Sequence, residues 1–176
     1  SNYKTVFFTL GILQVILGLA MIIPIIIQLI YSELDSSFIS SGIITIVFGI
    51  LFFLSNLDHD KILNLPQAFL LTALSWLSVA IFGSLPFIFS DLNLNITDAF
   101  FESMSGITTT GSTVITNLDI APKSILLWRA ILQWLGGIGI IVMAITLMPI
   151  MNVGGMQLFK ISNNDTTEKI LPKSKQ

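Results

Sequence analysis

The sequence predicts an all-α integral membrane protein, and three observations carry that prediction. Of 176 residues, 53% are hydrophobic and only 10% are charged, against roughly 25% charged in an ordinary soluble domain. The mean hydropathy is +0.89. Four stretches contain no Asp, Glu, Lys or Arg: Thr5 to Ser32, Ser36 to Leu57, Ile62 to Ser90 and Ala130 to Phe159. Each has room for the roughly 20 apolar residues that cross a bilayer core. So little charge cannot cover a soluble globule, and a disordered chain needs low hydrophobicity. The net charge is −2, with no basic run before the C-terminal tail, so no nucleic-acid footprint is present. Cysteine is absent, which excludes a disulfide framework, a thiolate nucleophile and a Cys-ligated metal.

The first two stretches form an N-terminal helix pair over residues 1–61. The first is far longer than the roughly 7–15 apolar residues of a signal peptide, and no small-residue cleavage site follows it. It is therefore read as a membrane span. Pro24 and Pro86 fall within or near the ends of spans, where a membrane helix tolerates them. His59 is the single histidine. It stands in a short loop between Asp58 and Asp60, where a solvated loop is the simpler reading than a metal site. Of Trp76, Trp128 and Trp134, Trp128 is nearest a span boundary, where Trp favours the membrane interface.

Loop charges set the orientation. With both ends inside, Lys4, Lys61, Lys160, Lys169, Lys173 and Lys175 are cytoplasmic, and only Lys123 and Arg129 fall outside. That bias follows the positive-inside rule. Residues 160–176 are then a polar cytoplasmic tail.

The segment from Asp91 to Lys123 is too long for a structureless loop. It opens with Asn95, Thr97 and Asp98, which suit a helix N-terminus. A half-helix follows over about 96–106, with Gly106 available to end it. The stretch Ile107-Thr-Thr-Thr-Gly-Ser-Thr-Val114 has no helical periodicity. A half-helix that dips in and an extended return describe a re-entrant loop. Irregular backbone at membrane depth needs burial in protein or a water-filled path. Its carbonyls can replace the hydration shell of a monovalent cation. Gly111 permits dihedrals that align successive carbonyls, and the half-helix turns its negative C-terminal end toward the ion. The same composition also fits an extracellular loop with a short surface helix.

The residues here resemble a known family. Ala99-Phe-Phe-Glu-Ser-Met-Ser-Gly-Ile-Thr-Thr-Thr-Gly-Ser-Thr-Val114 is similar to the first pore loop of TrkH/KtrB-type potassium uptake proteins. Leu126 to Ile141, with Trp128, Arg129, Gln133, Trp134, Gly136 and Gly137, is similar to the helix after that loop. Met148-Pro149 and Val153 to Leu158 resemble its cytoplasmic exit. The resemblance implies four helix–pore-loop–helix units around one pore, of which this chain holds the first, over residues 62–159. The sequence therefore reads as a partial chain; the alternative is a short protein that assembles with copies of itself or with other subunits.

The resemblance further implies that Thr109, Thr110, Gly111 and Ser112 form the selectivity filter through their carbonyls, flanked by Thr108 and Thr113. Gly at position 111 implies potassium over sodium. Potassium is the substrate, and no cofactor or enzymatic step is implied. The implied setting is the inner membrane of a bacterial cell, with uptake linked to a proton or sodium gradient. The implied partners are the remaining pore units, a second copy in a homodimer, a cytoplasmic nucleotide-binding regulatory subunit and the lipid bilayer, but no nucleic acid. The rival class is a non-transporting accessory or scaffold subunit; a self-assembling cation channel is another.

Two charges sit inside the motif stretches. An unpaired charge at depth is costly, so Glu102 and Arg129 are read as a structural salt bridge between the half-helix and the fourth span. A direct ion-attracting role for Glu102, or simple exposure at headgroup level, is the alternative. Gly136, Gly137 and Gly139 allow close helix packing, with a gating hinge as the alternative. Asn95-Ile-Thr97 and Asn164-Asp-Thr166 match the glycosylation pattern and are read as chance matches.

Overall fold

The computed structural model describes residues 3–151, the side chains of 150 and 151 excepted. Among these, every regular element is helical: α1 (Lys4–Ala20), α2 (Ile22–Ile30), α3 (Ser37–Ser55), α4 (Leu65–Phe89), α5 (Ile96–Ile107), a short 3-10 turn (Leu118–Ile120) and α6 (Lys123–Met151). Four helical stretches are long and apolar enough to cross a membrane: Lys4–Ile30, Ser37–Ser55, Leu65–Phe89 and Lys123–Pro149. Residues 3–140 pack as one compact unit, and α6 runs to Met151.

The first span is broken, which the apolar run did not reveal. α1 ends at Ala20 and α2 begins at Ile22. Pro24 explains the break: it has no N–H to donate to the carbonyl four residues back, at Ala20. α1 runs along α3, and glycines let the two backbones approach. A Cβ on Gly11 would stand 2.6 Å from the Phe53 nitrogen and 2.8 Å from the Gly49 oxygen. One on Gly49 would lie 2.8 Å from the Val15 nitrogen. Apolar side chains gain little from each other against lipid, so close backbone contact is what holds such a pair.

α3 starts where the Asp35 carboxylate accepts the Ser37 N–H at 2.6 Å. α4 starts with a full capping box: Asn64 accepts from Gln67 N and the Gln67 side chain accepts from Asn64 N, with Pro66 in the first turn. Such boxes satisfy donors that the helix itself leaves open.

Two long-range contacts fix which ends lie together. Thr5 Oγ1 donates to the Asp60 carbonyl at 2.8 Å, joining the N-terminus to the α3–α4 loop. At the other end, the Glu33 carboxylate accepts the Lys123 N–H at 2.6 Å and also the Ser124 hydroxyl. A carboxylate from the α2–α3 loop thus caps α6, where the helix dipole favours negative charge.

Trp128 departs from the interface expectation. It is fully buried, donates its indole N–H to the Gly83 carbonyl at 2.9 Å and meets Phe38 edge-on at 5.9 Å. The reason is that α6 starts at Lys123, one to two turns earlier than the charge-free run implies, which carries Trp128 into the core with Phe87, Ile125 and Leu132. Trp134 is 67% exposed.

Candidate functional site

The site is built on the C-terminal end of α5. Asn95 caps its start: the side chain accepts the Asp98 N–H at 2.7 Å. That structural use accounts for the Asn in the first glycosylation-like triplet; the second triplet lies outside the described residues. α5 packs against α4 and presents Gly106 to Leu132 of α6. Gly106 does not end the helix, which runs to Ile107; what Gly106 provides is room for Leu132, whose Cβ would lie 3.1 Å from an added methyl.

The chain then folds back on its own helix end. Thr108 N donates to the Met104 carbonyl (3.0 Å), Thr109 N to Gly106 (3.0 Å), and both Thr110 N (2.9 Å) and Gly111 N (3.2 Å) to Ser105. The N–H groups of 108–111 are therefore consumed by the last carbonyls of α5. Their own carbonyls are not: among the described residues, nothing donates to the oxygens of Thr108, Thr109, Thr110 or Gly111. Thr109 (φ 58°) and Gly111 (φ 79°) both adopt positive φ, while Thr110 between them does not. Positive φ on both sides of Thr110 breaks the strand pattern in which carbonyls point to opposite sides. Gly takes such a φ without penalty; Thr, β-branched, does not. Residues 108–114 are all exposed in this chain.

Side chains hold this shape from behind. Glu102 is buried, and its carboxylate accepts from Thr113 Oγ1 (2.7 Å), Val114 N (3.0 Å) and Arg129 Nε (2.7 Å). The pair expected from sequence is formed, with the Glu102 side chain 0% and the Arg129 side chain 17% exposed. A buried charge needs both a partner and further hydrogen bonds, and Glu102 has them. Ser105 donates its hydroxyl to the Ser112 carbonyl at 2.6 Å. Thr108 and Thr110 share a hydroxyl contact at 2.9 Å.

The glycines of α6 separate by role. A Cβ on Gly136 would fall 1.8 Å from the Ile107 carbonyl oxygen, so α6 touches the backbone where α5 gives way to the loop. Among the described residues, no neighbouring element comes within 4 Å of a Cβ on Gly137, and Trp76 is 3.9 Å from one on Gly139. Away from the loop, His59 stacks on Phe8 at 3.8 Å and its Nδ1 lies 3.0 Å from the Leu57 carbonyl oxygen. Among the described residues no group of three or more His, Cys, Asp or Glu is placed to hold a metal ion.

The sequence pointed to the Glu102–Arg129 pair, which the structure brings together, and to the irregular stretch after α5. It missed Ser105, the two loop bonds to Glu102, the positive φ of Thr109 and the Glu33 cap. Only Thr109 had a signal, its place two residues before Gly111 in a run without helical period. The stretch Val153 to Leu158 and the tail 160–176 lie outside the described residues.

A helix pair followed by a helix, a half-helix with an exposed carbonyl-bearing loop, and a second long helix defines the pore-loop class of membrane proteins. The chain belongs to the TrkH family, described as a cation transport protein, whose profile matches residues 34–171. It is 39% identical over 166 residues to the Trk system potassium uptake protein TrkI of Halomonas elongata, covering 94% of this chain and 34% of that protein. It is 40% identical over 161 residues to the Trk system potassium uptake protein TrkH of Escherichia coli (strain K12), covering 90% of this chain and 33% of that protein. The crystal structure of the potassium transporter TrkH from Vibrio parahaemolyticus superposes with a TM-score of 0.84 at 36% identity, covering 88% of this chain and 34% of that one. The chain thus spans about a third of the length of these relatives.

Proposed function

We propose that this chain contributes one of four units to a potassium uptake pore in a bacterial inner membrane, with both termini cytoplasmic. The observation that carries the reading is the row of carbonyls from Thr108 to Gly111, which have no hydrogen-bond partner among the described residues and stand at the negative end of α5. Such oxygens replace the water shell of a dehydrated cation, and the C-terminal dipole of α5 adds negative potential. Thr109, Thr110 and Gly111 offer free oxygens. Ser112 offers the second lone pair of a carbonyl already held by Ser105. Thr108 and Thr113 flank the set. Glu102 and Arg129 brace it rather than bind the ion, because the Glu102 oxygens are occupied by Thr113, Val114 and Arg129.

Three similar units close the pore around the exposed face of 108–114. The names of the relatives support potassium as the substrate. Coupling to a proton or sodium gradient, a homodimer and a cytoplasmic nucleotide-binding regulatory subunit complete the proposal.

The test is rubidium and sodium uptake, with growth rescue of a potassium-uptake-deficient strain at low potassium, by the native full-length protein and its Gly111→Ser variant. The substitution places a Cβ at φ 79°, which residues other than Gly disfavour. Membrane insertion should persist while potassium-over-sodium discrimination falls. Unchanged rate and selectivity at normal expression would remove Gly111 from the filter and favour an accessory subunit.

A further inference from the structure

We propose that Ser105, on the buried side of α5, is a positioning residue that sets ion discrimination by tethering both ends of the Thr110–Ser112 backbone. The inference rests on the filter reading above. Ser105 is 6% exposed and meets the loop at three points. Its carbonyl accepts Thr110 N at 2.9 Å and Gly111 N at 3.2 Å. Its hydroxyl, on the same residue, donates to the Ser112 carbonyl at 2.6 Å. The peptide units that carry the Thr110 and Gly111 oxygens are therefore fixed from the nitrogen side and again beyond Gly111.

This matters because the loop has few other supports at that point. Glu102 holds Thr113 and Val114, and Thr108 is held by Met104. Between them, among the described residues, the hydrogen bonds made by residues 110 to 112 are those to Ser105 and the Thr108–Thr110 hydroxyl contact. Without the hydroxyl, the Ser112 end is free to turn. Carbonyls that can close inward coordinate a smaller ion as well as a larger one, so discrimination falls before rate does. Ser103, two residues away on the same helix, is also buried, but its hydroxyl has no partner among the described residues. It is the internal control.

The experiment compares Ser105→Ala, Ser105→Thr and Ser103→Ala in the native full-length protein, reading rubidium and sodium uptake as a ratio so that expression level cancels. Ser105→Ala should lower the rubidium-to-sodium ratio about tenfold, the scale of losing one strong hydrogen bond. Ser105→Thr, which keeps the hydroxyl, should restore most of the ratio, and Ser103→Ala should leave it unchanged. A wild-type ratio in Ser105→Ala, or an equal loss in the Ala and Thr variants, overturns the proposal. If Ser105→Ala fails to reach the membrane, Ser105→Cys decides: a weak donor of similar size should give an intermediate ratio, and a wild-type ratio overturns the tether. Gly111→Ser run in parallel separates the two claims. A change there with none at Ser105 ends the tether alone, whereas no change at either position ends the filter reading itself.

Discussion

Gly136→Ala puts a methyl carbon where the Ile107 carbonyl oxygen already stands. The oxygen would be 1.8 Å away and the carbonyl carbon 2.7 Å away, whereas real Cβ atoms essentially never come within 3.0 Å of a neighbour. The oxygen must therefore recede by about 1.2 Å, and it belongs to backbone, not to the far end of a flexible side chain. It also belongs to the last residue of α5, directly before the loop. Overpacking of this kind costs about 1–3 kcal/mol, and a rigid obstacle places it at the upper end. Replacing a helical Gly by Ala returns at most about 1 kcal/mol, so the expected net loss is about 2 kcal/mol. The assay is thermal denaturation in detergent followed by size-exclusion chromatography, with rubidium uptake measured alongside. Gly137→Ala is the comparator, since its methyl meets no neighbouring element within 4 Å among the described residues. The variant should lose both thermal stability and uptake. A Gly136→Ala protein as stable and as active as wild type would refute the argument that α6 rests on the Ile107 backbone.

Glu102→Gln and Arg129→Gln should each impair assembly or transport, by about 3–5 kcal/mol where one charge of a buried pair is left alone. Exchanging both charges should recover part of the loss; a double exchange worse than either single change would argue against pairing, because coupled residues are not additive. Glu33→Ala removes the acceptor from the start of α6 and should cost about 1 kcal/mol, read as a lower melting temperature, with Glu33→Gln losing less; equal losses would place the effect elsewhere. The chain has no cysteine, so single Cys residues at Asn56, Asp119 and Asn163 report topology. Only Asp119→Cys should react with an impermeant reagent from outside, and labelling at position 163 would reverse the proposed orientation.

What the sequence made legible was whatever depends on pattern over many residues. Four spans follow from the absence of charge, and α5 follows from Asn95 and Asp98 ahead of an apolar turn. The Glu102–Arg129 pair follows from the cost of a lone charge in an apolar setting. What it hid depends on single contacts across the fold. Trp128 lies near the edge of a charge-free run, yet Arg129 and Lys123 join the helix, and the ring turns inward to Gly83 and Phe38. The charge-free criterion placed the start of α6 too late because paired and terminal charges are compatible with helix. Ser105 carries no periodic signal, being one of three hydroxyl residues in a short polar helix. Glu33 caps a helix 90 positions away, a contact that only tertiary structure creates. The break at Met21 was legible in principle from Pro24, whose missing N–H acts four residues upstream.

The most direct measurement is the position of the ion. Crystals of the complete protein grown with rubidium in place of potassium, with data collected at the rubidium absorption edge, would locate it by anomalous scattering. A peak is expected within coordination distance of the Thr109, Thr110 and Gly111 carbonyl oxygens, below the C-terminal end of α5, and it should weaken in Gly111→Ser. Rubidium bound elsewhere in the pore, with none against these three oxygens, would contradict the proposed filter.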